Sequence, residues 1–233
     1  MARSRPPERL GDIAAAATRV FGRLGYRRTH MADVAADAGL SSGAIYGYVE
    51  SKGALFHLVF AHAFGLFSEG LPDLPLPTPP LEETLELVSR GLSKAAATPK
   101  LRAALLIDDP DDIRSELTSI VDERYAMTEA LWPVLAVVER SAVDLPQLDE
   151  LYFQRGRRGH HSQLQRYLDR RAARGYLRAL PDTAVAARLV TEAIAWFAWH
   201  RRDDRDAARF DDARARATVV EFVCGALLVP PSR

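Results

Sequence analysis

The amino-terminal part of the chain carries apolar side chains at a helical period, which glycine and serine interrupt at short intervals. Apolar positions recur at three- and four-residue steps up to Gly25, which predicts an amphipathic helix that ends there. A second helix is predicted over 31–38, before Gly39. We expect Ser41 to cap a third helix over 42–49, because a serine hydroxyl can accept a hydrogen bond from an unpaired backbone N–H. Three short helices are therefore expected at the amino terminus.

The rest of the chain is also predicted to be helical. Ser51 is expected to cap a fourth helix, which is apolar on all sides and suits a helix that joins two domains. Five prolines between residues 70 and 80 predict an extended connector. Further on, Asp109 is expected to cap a helix that begins at Pro110, and no strand or internal repeat is evident. The later predicted helices cover residues 81–97, 101–107, 110–140, 147–175, 182–200 and 206–228.

Charge is distributed unevenly along the chain. The formal net charge is zero, whereas residues 1–53 hold eight Lys or Arg and five Asp or Glu, a net +3. Only the amino-terminal part therefore suits a polyanionic partner. No apolar run is long enough for a membrane span, and the start lacks the apolar stretch of a signal peptide, so we expect a cytoplasmic protein with no membrane partner. The single cysteine, Cys224, lies in an apolar segment and is expected to fill the core.

The second and third predicted helices, joined by Gly39, Leu40 and Ser41, have the length and chemistry of a DNA-binding helix-turn-helix. Two segments of the sequence resemble a known protein family. They are Phe-Gly-Arg-Leu-Gly-Tyr at 21–26 and Ala-Asp-Val-Ala-Ala-Asp-Ala-Gly-Leu-Ser-Ser-Gly-Ala-Ile-Tyr-Gly-Tyr at 32–48. With them, the chain resembles the tetracycline-repressor-like (TetR) family.

The resemblance is tight over the helix-turn-helix region, and beyond it only the helical layout and the total length fit the family. It implies an all-α protein. An amino-terminal three-helix helix-turn-helix domain over 8–53 would be followed by a larger helical ligand-binding and dimerisation domain over 54–233. The expected partners are double-stranded operator DNA, a small-molecule effector of unidentified structure and a second copy of the chain.

The resemblance also implies which residues meet DNA. Ser42, Gly43 and Ala44 would open the recognition helix in the major groove, while Thr29, Tyr46 and Lys52 would meet phosphates. A lysine in the first turn of a helix opposes the helix dipole by about 0.3–1 kcal/mol, so local stability does not explain Lys52, whereas a phosphate partner would. Tyr46 and Tyr48 lie about 200° apart around a helix, so one can bind while the other packs. The candidate DNA-binding residues are Thr29, Ser41, Ser42, Gly43, Ala44, Tyr46, Tyr48 and Lys52.

The motif departs from the family pattern at positions that bear on base reading. Ala32 stands where many relatives carry a polar residue that reads bases, and Gly47 stands where a larger residue is frequent. Direct base contacts are therefore expected to be sparse, which leaves open readout of DNA shape and base contacts from Tyr48 or from Arg3 and Arg5. The alternative for the whole segment is a helical hairpin without a role in DNA binding.

Aromatic residues cluster in the predicted carboxy-terminal helices, where the resemblance implies a ligand cavity. Most of them must belong to the core, but cavities in helical proteins are lined by such residues together with a few polar groups. Pro133 removes one helical hydrogen bond and is expected to kink its helix, which could open space or could serve plain packing. We expect a hydrophobic or amphipathic effector. The candidate ligand-binding residues are Phe67, Tyr125, Trp132, Phe153 and Tyr167.

No residue pattern indicates catalysis. His160 and His161 adjoin an arginine-rich segment without a cysteine or acid at metal-ligand spacing, so a solvated helix face is predicted there. No nucleophile with a base, phosphate loop or carboxylate pair stands out, and neither an enzyme, a metal site nor a cofactor is expected. The alternatives to a repressor released by its effector are an activator, a DNA-binding regulator controlled by a protein partner or without a small-molecule ligand, and an enzyme or carrier with a vestigial helix-turn-helix.

The last two predicted helices carry more apolar surface than one chain would bury. Val185, Leu189 and Ala193 share a face of the first, and Val219 and Phe222 lie on the second. Pairing these helices across a twofold axis predicts a homodimer with a four-helix interface, which would also place two recognition helices on one operator.

Overall fold

A computed structural model describes residues 9–66, 73–95, 97–207 and 209–230, and within these ranges the regular structure is helical. Extended pairing among them is limited to isolated bridges, Val49 with Leu76 and Leu177 with Leu228. The predicted all-α class is therefore confirmed. The chain forms two compact units, the first comprising Met1–Ala95 with Pro133–Gln154 and the second Ala96–Trp132 with Arg155–Arg233.

The first unit is built on an aromatic core beneath its amino-terminal helices. Phe56 lies edge-to-face with both Phe21 and Phe60, with ring centroids 5.1 and 5.0 Å apart. Its elements are α1 (Arg9–Arg28), α2 (Met31–Asp37), a 3₁₀ turn (Ala44–Gly47), α3 (Lys52–Ala63), α4 (Leu81–Ala95), the end of α6 (Ile113–Ala142) and α7 (Pro146–Asp149).

The second unit packs its helices around the buried rings of Tyr125 and Tyr167 and the side chains of Leu164 and Ile194. Cys224 is buried in the same core, so its predicted role as core filler is confirmed. The elements of this unit are α5 (Pro99–Ala104), the beginning of α6, α8 (Arg158–Ala173), α9 (Thr183–Ala198), a 3₁₀ turn (His200–Asp203) and α10 (Asp212–Leu227).

Helix termini follow the capping chemistry of the sequence at some sites and depart from it at others. The Ser51 hydroxyl accepts from the Ala54 N–H at 3.2 Å, which confirms that cap. The prediction that Asp109 caps this helix is wrong, because α6 begins at Ile113. The Asp112 carboxylate accepts hydrogen bonds from the first N–H groups of α6. The Ser41 cap is also wrong, because Gly43 precedes a 3₁₀ turn of four residues without a side-chain cap.

The long helix predicted over 147–175 is interrupted. An eight-residue π-helix, Glu150–Arg157, separates α7 from α8. Upstream, α6 continues through Pro133. The boundary between the two units falls within this helix, between Trp132 and Pro133. The expected kink at Pro133 and the functional boundary at residue 54 stay predictions. No helix among the described residues is long and apolar enough to cross a membrane.

Candidate DNA interface and effector unit

The helix-turn-helix is formed by α2, a tight turn and the short 3₁₀ helix that follows. Gly39 adopts φ +66°, a left-handed conformation that suits glycine and ends α2 as the sequence predicts. The N–H of Leu40 then bonds to the carbonyl of Ala35 at 2.8 Å, closing the turn. Val34, Ala35 and Ile45 are fully buried beneath it. The turn is thereby fixed by packing as well as by its hydrogen bonds.

One side of this motif is open to solvent and carries most of the predicted DNA-binding residues. A Cβ atom added at Gly43 would meet nothing within 4 Å, so a groove wall could approach the backbone there. Tyr46 is 52% exposed. We call this surface the recognition face; its residues are Ser41, Ser42, Gly43, Ala44 and Tyr46, all of them exposed.

Two predicted DNA contacts require correction. The Thr29 side chain is fully buried and its hydroxyl donates to the Gly25 carbonyl at 2.7 Å, so it is not presented to a phosphate. Tyr48 is 5% exposed and belongs to the core, so it cannot read bases from this position. Of the tyrosine pair, Tyr46 is exposed and Tyr48 packs. Arg3 and Arg5, the other proposed base contacts, lie outside the described residues.

Lys52 has a structural partner that the sequence does not reveal. Its ammonium nitrogen donates to the Arg27 carbonyl at 3.2 Å and lies 4.8 Å from the centroid of the Tyr26 ring. The contact satisfies a carbonyl at the end of α1, where a cation is also favoured by the helix dipole. Stability therefore can explain Lys52, contrary to the sequence-based interpretation, because Lys52 contacts the end of α1 as well as lying in the first turn of α3. A phosphate contact by Lys52 stays a prediction.

The hydrogen bonds of the connector, which we define as residues 73–80, were not predicted from the sequence. The Leu76 N–H donates to the Tyr48 carbonyl at 2.8 Å, and its carbonyl accepts from the Glu50 N–H at 3.0 Å. The Thr78 N–H donates to the Glu50 carboxylate at 3.1 Å, and the Thr78 hydroxyl lies 2.6 Å from the Ser51 hydroxyl. The connector is extended as predicted, but it is bonded to the chain immediately after the recognition face. The sequence signal that could have indicated this bonding is the alternation of leucine and proline, which places the leucines on one side of an extended segment.

The predicted ligand-binding residues do not all fall in one unit. Tyr125, Trp132 and Tyr167 belong to the second unit, whereas Phe153 belongs to the first and Phe67 lies outside the described residues. The Tyr125 ring is fully buried and its hydroxyl donates to the Phe197 carbonyl at 3.1 Å.

Trp132 and Phe153 are partly exposed. The Arg202 guanidinium lies 5.6 Å from the centre of the Trp132 ring, and Phe153 packs edge-to-face on Tyr152. These two rings keep accessible apolar surface, which Tyr125 and Tyr167 do not.

Tyr167 belongs to a buried polar network. Its hydroxyl donates to Glu116 at 3.0 Å, and burial together with the nearby Glu116 carboxylate raises its pKa. Arg171, which has no exposed side-chain surface, binds both oxygens of Glu116 at 2.8 and 2.9 Å. This hydroxyl is therefore already engaged within the protein, and the Tyr167 residue as a whole is only 1% exposed.

His160 and His161 are not on a solvated face, which corrects the sequence-based interpretation. Both are partly buried at the start of α8. Burial, followed by the charge of Arg124 and the neighbouring His161, lowers the pKa of His160 to about 2. The pKa of His161 is lowered as well, first by burial and then by Arg188 and Arg157. Both imidazoles are therefore neutral at pH 7, and no metal-binding cluster occurs among the described residues.

A surface cleft of about 450 Å³ also lies in the second unit. Its walls are largely charged, and the charges are paired, with Arg216 binding Asp122 at 2.7 and 2.8 Å. The lining residues are Asp122, Glu129, Asp212, Ala213, Arg216 and Ala217. None of the predicted ligand-binding residues that the structure describes lines this cleft.

Two family models match the sequence. The model of bacterial regulatory proteins of the tetR family matches residues 13–59, which include the recognition face. The model of the AefR-like transcriptional repressor C-terminal domain matches residues 123–224, within the second unit except for the stretch from Pro133 to Gln154. No curated protein sequence matches the chain.

Solved structures share the fold at low identity. The ketosteroid transcriptional regulator KstR2 of Mycobacterium tuberculosis superimposes with a TM-score of 0.59 and 17% identity, covering 95% of this chain and 96% of its own. AibR, solved with isovaleryl coenzyme A and operator DNA, superimposes with a TM-score of 0.50 and 16% identity, covering 92% and 97%. Both family models describe transcriptional regulators, so the expectation that the chain is not an enzyme is confirmed. The chain belongs to the TetR family of DNA-binding transcriptional regulators.

Proposed function

We propose that this protein is a repressor that binds operator DNA as a homodimer and releases it when a hydrophobic or amphipathic small molecule occupies its second unit. The observation that carries the proposal is the recognition face, where an exposed tyrosine and small residues accompany a well-packed helix-turn-helix. Small residues let the backbone approach base edges, and a tyrosine hydroxyl can donate to a phosphate. Selection of bound sequences from a random DNA pool, followed by gel-shift titration, tests this function; failure to enrich any sequence would contradict it.

Within the recognition face, we expect Tyr46 to position the protein and Ser42 to contribute to sequence reading. Tyr46→Phe should weaken binding to operator and random DNA alike, by about tenfold, because it removes one hydrogen bond to a charged phosphate. Ser42→Ala should weaken operator binding more than random DNA, by at most about 1–3 kcal/mol.

Tyr48→Phe is the matched control for the tyrosine. Its ring is buried, so fluorescence anisotropy with a labelled operator should give the parental affinity. Equal losses for Tyr46→Phe and Tyr48→Phe would contradict the assignment, as would a Ser42→Ala loss that is the same on operator and random DNA.

The homodimer is proposed from apolar surface on α9 and α10. Val185, Leu189 and Trp196 follow one face of α9 and are 55%, 66% and 36% exposed, and Phe222 of α10 is 73% exposed. Such residues on adjoining helices are typical of a subunit interface. Val219, which the sequence assigned to this interface, is instead buried within the chain, as are Ala215 and Leu227 of the same helix.

Leu189→Glu should therefore weaken dimerisation by at least about a hundredfold, because two carboxylates would face each other near the twofold axis. Sedimentation velocity across a concentration series measures the effect. Val143→Glu is the control, since Val143 is 87% exposed and belongs to the first unit, which contains neither α9 nor α10. A parent that is monomeric at micromolar concentration, or a Leu189→Glu variant that dimerises as the parent does, would exclude this interface.

Two observations support control by a small molecule. AibR was solved with both isovaleryl coenzyme A and operator DNA, and KstR2 is described as a ketosteroid regulator. Trp132 is partly exposed in the second unit, and with Tyr125 and Tyr167 it remains a proposed ligand contact. The assignments of Phe67 and Phe153 to the ligand stay predictions from the sequence. A compound panel that leaves both thermal stability and operator affinity unchanged would favour the alternative of a regulator controlled by a protein partner.

A further inference from the structure

The stretch of chain between the recognition face and α3 shares its backbone hydrogen bonds with the connector. The 3₁₀ turn ends at Gly47 and α3 begins at Lys52, and a 3₁₀ turn of four residues supplies few backbone bonds of its own. The Tyr48 carbonyl and the Glu50 N–H are both bonded to Leu76, at 2.8 and 3.0 Å. This stretch is therefore fixed by a segment that follows α3 in the sequence.

The connector has few backbone donors, and both of those near its end are directed at this stretch. Four of the six residues from 75 to 80 are prolines, which have no N–H, so Leu76 and Thr78 supply the backbone donors. The Leu76 N–H bonds to the Tyr48 carbonyl, and the Thr78 N–H bonds to the Glu50 carboxylate at 3.1 Å. Because proline fixes φ, holding this segment in place costs little conformational entropy.

Burial of Leu76 secures the connector as well. Leu76 is 8% exposed and lies in the same core as Ile45, Tyr48 and Val49. Val49 and Leu76 also form a parallel bridge. The connector is thereby packed against the helix-turn-helix and not only bonded to it.

Thr78 contacts the first turn of α3 with its side chain. Its hydroxyl lies 2.6 Å from the hydroxyl of Ser51, which accepts from the Ala54 N–H as the cap of α3. A Cβ added at Gly53 would lie 3.1 Å from the Thr78 methyl carbon, which is tighter than an ordinary van der Waals contact. The glycine therefore allows Thr78 to lie directly on the turn that carries Lys52.

Glu50 has a charge that opposes DNA binding. It is exposed and lies in the sequence between Tyr46 of the recognition face and Lys52, where phosphates would repel a carboxylate. Its bond to the Thr78 N–H gives the acid a structural use, because a hydrogen bond to an ionised carboxylate is roughly twice as strong as one between neutral groups. The connector thus explains an acid that DNA does not.

We propose that the connector is part of the DNA-binding motif, and that Glu50 and Thr78 are positioning residues for DNA binding although neither contacts DNA. They fix the stretch between the recognition face and α3, so that Tyr46 and Lys52 meet one duplex at a set spacing. Groups that are held in place before binding lose less freedom on binding and therefore bind more tightly. This inference rests on the proposed function only in taking the recognition face as the surface that meets DNA.

Two substitutions of Glu50 separate its charge from its hydrogen bond. Glu50→Gln keeps an acceptor for the Thr78 N–H and removes the charge, so it should bind DNA at least as tightly as the parent. Glu50→Ala removes both, and we expect it to bind about tenfold more weakly than Glu50→Gln. If charge alone mattered, both variants would bind equally and more tightly than the parent. Fluorescence anisotropy of the full-length protein with a selected operator and with a random duplex measures the difference.

Substitutions of Thr78 test the second contact. Thr78→Val removes the hydroxyl but keeps the N–H and the side-chain shape, and it should weaken DNA binding about threefold. Thr78→Ser keeps the hydroxyl and should bind as the parent does. Asp73→Ala is the control for loss of an acid, since Asp73 is exposed in the same connector, and it should bind DNA at least as tightly as the parent.

The salt dependence of binding separates positioning from a defect in folding. Glu50 and Thr78 are exposed, so the Tm of each variant should stay close to that of the parent. If Lys52 loses its place against a phosphate in Glu50→Ala, the slope of log affinity against log salt should fall by about one unit, whereas Glu50→Gln should keep the parental slope. A folding defect would lower Tm and the fraction of active protein without changing this slope.

The outcomes distinguish this inference from the proposed function. A parent that binds DNA, with Glu50→Ala and Glu50→Gln binding equally well, would overturn the positioning role and leave the repressor intact. Thr78→Ser that binds as weakly as Thr78→Val would overturn the role of the hydroxyl, and a loss in Asp73→Ala equal to that in Glu50→Ala would overturn the role of the Glu50 bond. A parent that binds no DNA would contradict the proposed function and this inference together.

Discussion

Replacing Arg171 by methionine is expected to lower the free energy of unfolding by about 3–5 kcal/mol, the usual cost of breaking a buried ion pair by removing one partner. The Arg171 side chain is fully buried and donates to both carboxylate oxygens of Glu116. It also donates to the carbonyls of Ala104, Ile107 and Asp108, each at 2.9 Å. Methionine would leave the acid and three carbonyls without these bonds.

Urea unfolding followed by circular dichroism measures this loss. Arg166→Met, an exposed position on the same helix, should change stability by no more than about 0.5 kcal/mol. Adding Glu116→Gln to Arg171→Met should cost less than the sum of the two single changes, because the acid is then no longer left buried and charged. A loss below about 1 kcal/mol for Arg171→Met would mean that the network contributes little.

Gly25→Ala is expected to destabilise the first unit by about 3 kcal/mol. Gly25 adopts φ +79° and ψ 174°, a region that is essentially restricted to glycine and costs other residues about 1–3 kcal/mol. A Cβ there would also lie 2.8 Å from the Arg140 carbonyl oxygen, a backbone atom that cannot move aside readily. The end of α1 would have to shift, and Thr29, whose hydroxyl binds the Gly25 carbonyl, would shift with it.

Gly39→Ala is the matched control for this change. Gly39 also has a positive φ of +66°, but an added Cβ would meet nothing within 4 Å. Alanine there should therefore cost only the backbone strain, about 1–2 kcal/mol. Thermal denaturation of the two variants separates strain from steric conflict. Equal shifts in Tm would show that the close approach to Arg140 is relaxed without cost.

Local chemistry accounts for the parts of the helix-turn-helix region that were predicted correctly. The end of α2 at Gly39 follows from the left-handed conformation that glycine accepts, and the Ser51 cap follows from its hydroxyl. Helical geometry predicted that Tyr46 and Tyr48 lie on different faces, but it did not predict which of the two would pack. Burial beneath the motif decided that Tyr48 packs and Tyr46 stays exposed.

The second unit could be predicted less well, because its contacts join residues far apart in sequence. Arg171 binds Glu116 across 55 positions, and no local pattern distinguishes it from the neighbouring exposed arginines. His160 and His161 were assigned to a solvated face for the same reason, since charge density along the chain does not reveal which side of α8 is covered. The π-helix before α8 likewise has no periodic signature that separates it from an α-helix.

By itself, the sequence determined the helical class, the helix-turn-helix with its turn at Gly39, and the family, because each depends on periodicity and on residue types at short spacing. The tertiary structure alone decided the burial of Thr29 and the bond of Lys52 to the Arg27 carbonyl at the end of α1. It also decided that the connector bonds to Glu50. These outcomes depend on which surfaces pack together, and packing between distant segments is set by the whole fold rather than by local propensity.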